Sequence, residues 1–322
     1  MRGNILPRVV IVTAIVMVAA FAIAGIIGVR AGIFRDIAAG RLPFSRKGST
    51  STVTIQVPAA ELERVAIVDS VSGYVTIREG AGDAIKAWYH EPENTTTPAG
   101  EPLFKGKYQA GAAEIRLEWK RHTPIGRSNT GAWLEVTLPR GYAGALSVDA
   151  VSARIELEDH AYSDLALSTV SGVVRADAIQ AKRFTLRMTS GSVSLQRLRA
   201  ERTVISSVSG NIDIGELTGD ADIHSISGTV AIAFAKTPGT VAVETVSGDI
   251  RLNLPKDAGF TLDARSISGA VTCDFPITLS GSRMGAGEHR IAGTVGNGRS
   301  TISARTISGN ISITRGKRDQ TP

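Results

Sequence analysis

The sequence predicts an all-β chain: a single-coil-repeat β-solenoid preceded by one N-terminal transmembrane helix. Three observations predict it. A Ser-Gly dipeptide, behind an apolar residue in all but one copy, recurs eight times, period-two alternation flanks the copies, and a long uncharged run opens the chain. The glycines are Gly73, Gly172, Gly191, Gly210, Gly228, Gly248, Gly269 and Gly309. From Gly172 to Gly269 the steps are 19, 19, 18, 20 and 21 residues, a period that marks stacked repeats. The step of 40 from Gly269 to Gly309 reads as two periods with one divergent copy between them.

The first element is the apolar run. Val9 to Val29 carries no charge over 21 residues, enough for a helix to span the hydrocarbon core, so residues 1–30 read as a membrane anchor. A cleaved signal peptide is the rival, because Ala22-Ile23-Ala24 before Gly25 fits the small-residue cleavage rule. The run is longer than a usual signal core, which favours the anchor. Arg30, Arg35, Arg41, Arg46 and Lys47 outnumber Arg2 and Arg8, a bias that would hold the repeats inside. The short N-terminal tail and signal-like start favour export instead, and a single-pass protein of the cytoplasmic membrane with repeats outside is the expectation. Residues 31–52 are basic, then Ser/Thr-rich, as suits a linker.

The repeat domain spans residues 53–315. Two positions after each glycine stand Val75, Val174, Val193, Ile212, Val230, Ile250, Val271 and Ile311, and apolar residues recur at plus four. That alternation marks a half-buried strand. Before the glycine, apolar pairs at minus seven and minus five, such as Val241 and Val243, precede another apolar residue at minus two, such as Val246. The phase therefore slips, which predicts a bend between minus five and minus two. One coil of nineteen residues buries too little to offset its ordering entropy, so neighbours must stack. About nine coils spaced about 4.8 Å would make a rod on the order of 45 Å long. Val151-Ser152-Ala153 is a further copy with its glycine replaced. If the corner needs positive φ, Ala153 is strained; if it needs only close packing, alanine is tolerated.

Residues 73–153 hold a longer-stranded insertion with all three tryptophans, Trp88, Trp119 and Trp133. The runs Glu114–Lys120 and Ala132–Leu138 alternate like paired strands, and Glu91–Gly106 is turn-rich. This stretch reads as a flap over the solenoid's N-terminal end, with Trp88, Tyr89, Phe104 and Tyr108 as the candidate binding surface; core packing is the competing role for the tryptophans. Leu279–Gly298 reads as a divergent coil with a protruding glycine-rich loop, and residues 316–322 as a polar tail.

The serines are not nucleophiles. No base or orienting acid accompanies them, the Gly-x-Ser-x-Gly elbow is missing, and a corner role fits all eight glycines. No His or Cys spacing suits a metal, and no cofactor motif is present. His224 stands at minus four, on an outward polar ladder with Ser168, Arg187, Ser206, Glu244, Arg265 and Arg305. Cys273, the single cysteine, falls on the plus-four core position and reads as a buried small hydrophobe. The formal net charge is +6, compatible with anionic lipid or envelope polymers. Without aromatic–basic interleaving or a groove-reading helix, nucleic acid is not a partner.

The chain resembles the bacterial "putative adhesin" family, a domain of unknown function with Ser-Gly β-strand repeats. The residues that carry the resemblance are Thr169-Val170-Ser171-Gly172, Thr245-Val246-Ser247-Gly248 and Thr306-Ile307-Ser308-Gly309, the pairs Leu138-Pro139 and Leu254-Pro255, and the turn Gly296–Gly298. It covers roughly residues 53–315. The resemblance implies a membrane-anchored protein of the cell envelope, in some members associated with envelope stress, and it brings no catalytic residues. The expected function is a non-enzymatic, adhesin-like module with an envelope polymer or protein as partner. The alternative is a bactofilin-like scaffold on the cytoplasmic face, self-associating end to end through open coil edges.

Overall fold

The computed structural model describes residues 50–68, 72–90, 104–117, 132–279 and 289–316. The run Val9–Val29, Trp119, and residues 91–103 of the expected flap lie outside them. Among the described residues no helix is long and apolar enough to cross a membrane. They divide into two units, with the boundary between Ile179 and Gln180.

The first unit opens with β1 (Thr50–Gln56), a 3-10 turn (Ala59–Glu61) and β2 (Arg64–Val68). β3 (Ser72–Glu79), β4 (Ala84–His90), β5 (Phe104–Gln109), β6 (Ala112–Leu117) and β7 (Ala132–Leu138) follow. β8 (Ala145–Ala150), β9 (Ser152–Leu157) and the start of β10 (His160–Ser227) complete it. Each coil supplies a strand before its corner to one ladder and a strand after it to another. One ladder runs β5–β6–β2–β8–β10, the other β1–β4–β7–β3–β9–β10. The pairings are parallel except β5–β6, β4–β7 and β1–β4, which are antiparallel. β6 and β7 do not pair with each other, as their sequences suggested; they are the two halves of one coil in two ladders. The first coil of the sequence, β2 and β3, is sandwiched between the β6–β7 coil and the β8–β9 coil.

The second unit repeats this departure from sequence order at the other end of the chain. After β10 come β11 (Val230–Phe234), β12 (Thr240–Ser247), β13 (Ile250–Leu254), β14 (Phe260–Ser268) and β15 (Val271–Cys273). β16 (Thr278–Leu279), β17 (His289–Val295), β18 (Ser300–Ser308) and β19 (Ile311–Arg315) close the chain. The last coil, β18 and β19, inserts between the β12–β13 coil and the β14–β15 coil, parallel to both. The segment expected to be a divergent coil is not one. β17 runs antiparallel on β14, and the two-residue β16 runs antiparallel on β17. The 40-residue step therefore contains a covering hairpin, not a missing period.

The core lies between the ladders, filled from the alternate positions that the repeats mark. Val75, Ile77, Val174, Ile212, Val230, Ile250 and Ile311 are all buried. The expected slip of phase does not occur. β12 alternates without a break from Thr240 to Ser247, so Thr245 at minus three points inward and Val246 outward. Thr169, Ser207, Ser225, Ser266 and Thr306 are buried in the same way, whereas Ile267 at minus two is 37% exposed. In three of the coils the inward hydroxyl (Ser225, Ser266 or Thr306) serves a backbone carbonyl, whereas those of Thr169, Ser207 and Thr245 bond to none of the described residues. Ser266 Oγ donates to the carbonyl of Gly309 at 2.8 Å, and Thr306 Oγ1 to that of Gly248 at 3.4 Å. A buried carbonyl needs such a donor, and only a small hydroxyl residue reaches it from inside the bend. The motif Thr-Val-Ser-Gly thus hides its threonine and exposes its valine.

At the corners, close approach is the shared constraint. A β-carbon on Gly172 would collide with the carbonyl oxygen of Ala153. Ala153 itself is buried and has no positive φ, Ala110 being the one such non-glycine among the described residues. Alanine is tolerated at that corner, and the strain alternative falls away. Cys273 is half-buried rather than buried, because the short β15 pairs with β19 alone. Burial still pushes its thiol pKa up.

Candidate functional site

The most exposed aromatics of the first unit form a row across four strands. Alternation turns Val75, Ile77, Leu134 and Val136 inward, which obliges Tyr74 and Trp133 to face out. Strand register sets His90 beside Trp133, Trp133 beside Tyr74, and Tyr74 beside Arg154. Trp133 is 47% exposed and Tyr74 42%. The His90 and Trp133 rings lie 4.5 Å apart at a 37° tilt, and Thr50 Oγ1 hydrogen-bonds His90 Nδ1 at 3.0 Å. The Arg154 guanidinium sits 5.3 Å from the Tyr74 ring centroid, a cation–π contact that fixes the ring's angle. Two residues along each strand lies a second row of Trp88, Glu135, Thr76 and Glu156. Glu135 is ion-paired with Arg78. The face is a flat aromatic strip bordered by charge, able to stack on planar or apolar ligand faces while carboxylates and a guanidinium take up polar groups.

The four residues singled out from sequence do not gather here. Trp88 lies in the second row, half-buried. Tyr89 points the other way, is 3% exposed, and belongs to the core, because it follows Trp88 on a strand. Phe104 opens β5 in the other ladder. Tyr108 on β5 is 41% exposed, and its hydroxyl donates to the carbonyl of Glu61 at 3.3 Å. Tyr74 and Trp133 were missed, although their phase against Val75 and Leu134 carried the signal.

A second surface, in the second unit, is a ladder of alternating charge. His224 Nε2 lies 3.0 Å from Asp222, and its Nδ1 lies 3.7 Å from Glu244. Arg305 bridges Glu244 at 3.4 Å and Asp263 at 3.1 Å, and Arg290 Nε donates to Asp263 at 2.8 Å. Burial works against the Asp263 carboxylate, yet hydrogen bonds from Arg290 and Arg305 hold its pKa below the ordinary value of 3.8. Its contribution to stability is then full above the unfolded carboxylate pKa, near about 4, and is lost as pH falls through the lower folded value. Asp263→Asn is expected to cost about 1 kcal/mol at pH 7, screening at this partly exposed site being allowed for. The deficit should shrink at pH 3, and thermal unfolding at the two pH values checks it. The ladder is self-neutralising, and it staples strands rather than offering a net charge.

One cluster in the first unit, with buried tyrosines and an exposed glutamate, has the residue types of acid–base chemistry. His160 Nε2 donates to the carbonyl of Tyr142 at 2.6 Å, and Glu79 accepts from the backbone N–H of Gly141 at 2.6 Å. The Tyr142 hydroxyl donates to the carbonyl of Ala145 at 2.5 Å. Burial raises the pKa of both Tyr142 and Tyr162. His160 Nδ1 also lies 3.7 Å from Glu79 Oε2, and with the Tyr142 hydroxyl, His160 Nε2 and one Glu79 oxygen bonded to backbone, the cluster fastens a corner. Among the described residues no group of three or more His, Cys, Asp or Glu is placed to hold a metal ion.

The chain is similar to several solved structures. A "putative adhesin" from Bacteroides fragilis is similar over 86% of this chain and all of its own, at 10% identity and a TM-score of 0.47. Another from Parabacteroides distasonis is similar over 83% of this chain and 97% of its own, at 10% identity and a TM-score of 0.40. A structure from the same species described as a "putative lipid binding protein" covers the same shares, at 10% identity and a TM-score of 0.37. No curated protein matches the sequence. The model of the family described as Toastrack DUF4097 matches residues 62–314, and the chain belongs to that family.

Proposed function

We propose that this Toastrack chain is a non-enzymatic, adhesin-like binding module of the bacterial cell envelope. In this reading Val9–Val29 anchors it in the cytoplasmic membrane, and the repeats lie outside and grip an envelope polymer or protein. The observation that carries the reading is the aromatic row. Two large rings, about half exposed, stand side by side on rigid strands with a guanidinium at one end. Solvating such rings is unfavourable, and aromatic anchors of this kind dominate binding energetics. The repeated serines stand at the corners of the coils, which suits a role in holding rather than converting.

The scaffold alternative needs open coil edges. In the first unit β4 and β5 lie antiparallel on the two strands of the outer coil, with β1 outside β4, and in the second β17 lies antiparallel on β14. Strands of reversed direction do not continue a parallel stack, which argues for the binding reading. The test is co-sedimentation of the full chain, in detergent micelles, with isolated bacterial cell envelopes. Trp133→Ala is expected to weaken binding by about 30-fold, as loss of an aromatic anchor does, with thermal stability changed by less than about 1 kcal/mol. Equal binding by wild type and variant would remove the row from the function.

A further inference from the structure

The outer strands of the two units protect their edges in recognisable ways. β5 carries Lys105 and Lys107, β15 has three residues and β16 two. Charge and shortness are the usual defences against strand addition. β1 has neither. Its sequence, Thr-Ser-Thr-Val-Thr-Ile-Gln, is seven residues of uncharged, strongly β-forming chain without proline. All seven pair with β4 in unbroken register, so the strand is straight and carries no bulge. Among the described residues β1 forms a ladder with β4 alone, and none of them pairs with the backbone donors and acceptors of its other edge.

We propose that β1 is a self-association edge at which two copies of this chain pair, antiparallel, about a two-fold axis through Val53. The strand is complementary to itself in that arrangement. Val53 faces Val53 of the second copy, Thr52 faces Thr54, Ser51 faces Ile55, and Thr50 faces Gln56. Each match keeps the alternation, so exposed threonines meet threonines and half-buried residues meet half-buried ones. The inward side gains as well. A β-carbon at Gly106 would collide with Val53, so β5 already covers this face, and pairing carries the covered layer across the axis. Such an interface is isologous: it consumes the edge and closes at two. The product is a dimer and not a filament, which separates it from end-to-end stacking.

The register makes the test specific. Full chain in detergent micelles is measured by sedimentation velocity over a range of protein concentrations. T52K/T54K places like charges opposite each other twice across the axis, and it is expected to raise the dimer dissociation constant by about tenfold. T52K/T54E places opposite charges there, and the dimer is expected to persist. Both threonines are exposed, so neither variant burdens the core. In parallel, Val53→Cys in a Cys273→Ser background should form a disulfide-linked dimer on mild oxidation. Thr50→Cys should not, its copies lying about 20 Å apart at six residues of strand rise. A monomeric wild type, equal weakening by the two charge variants, or equal cross-linking at positions 50 and 53 would overturn the proposal.

Discussion

Replacing Gly309 by alanine is expected to destabilise the second unit by about 3 kcal/mol or more. Two costs combine. Gly309 has φ of +148°, a region that side-chain-bearing residues enter at about 1–3 kcal/mol. Its added β-carbon would also collide with the carbonyl oxygen of Gly248, with the carbonyl carbon at 2.6 Å. That oxygen accepts from Thr306 and cannot swing away without orphaning the hydroxyl. Gly309 sits in the inserted coil, paired in parallel with neighbours on both sides, so no free edge absorbs the shift. Gly82 provides the control: a β-carbon added there meets nothing within 4 Å, and its φ is not positive. Gly82→Ala should leave stability within about 1 kcal/mol of wild type. Urea unfolding of the full chain compares the two, and equal midpoints would refute the corner argument.

Phe260→Ala is expected to cost about 3–5 kcal/mol, the range for a buried aromatic that leaves a cavity. Phe260 is fully buried at the start of β14 and meets Phe275 edge-on, with centroids 5.1 Å apart and planes at 84°. It also holds β14 to its two neighbours, facing Val295 on β17 and Ser300 on β18. Loss of the ring therefore loosens both the inserted coil and the covering strand. Phe260→Leu, which restores most of the volume, should recover more than half of the loss, as read from the shift in thermal midpoint. A cost below about 1 kcal/mol for alanine would mean that this end of the core is not packed as described.

The period was legible because most coils repeat one steric problem, a corner with little room for a side chain, Ala153 being the exception. The order of coils was not. β18 and β19 carry inward residues of the same kind as β12 and β13, so composition says that they stack but not between which neighbours. That choice is made by the reversed β17, whose hairpin covers the outer edge of β14 and leaves the last coil the inner place. The phase at the corner was obscured for a related reason. Val246 and Ile267 look like core because they are apolar, while Thr245 and Ser266 hold the inward positions, and Ser266 serves a buried carbonyl there. The aromatic face was half visible. Trp88 stands out in the sequence, but Tyr74 and Trp133 come together only through the pairing of β7 with β3, a contact between segments nearly sixty residues apart.

The proposed envelope function depends on which side of the cytoplasmic membrane the repeats lie. Protease digestion of a C-terminal epitope in intact cells, with spheroplasts and lysed membranes as comparisons, measures this directly. The predicted result is loss of the epitope once the outer surface of the cytoplasmic membrane is reachable, while that membrane is still sealed. Protection until the membrane itself is broken would place the aromatic row in the cytoplasm and contradict the envelope-binding function.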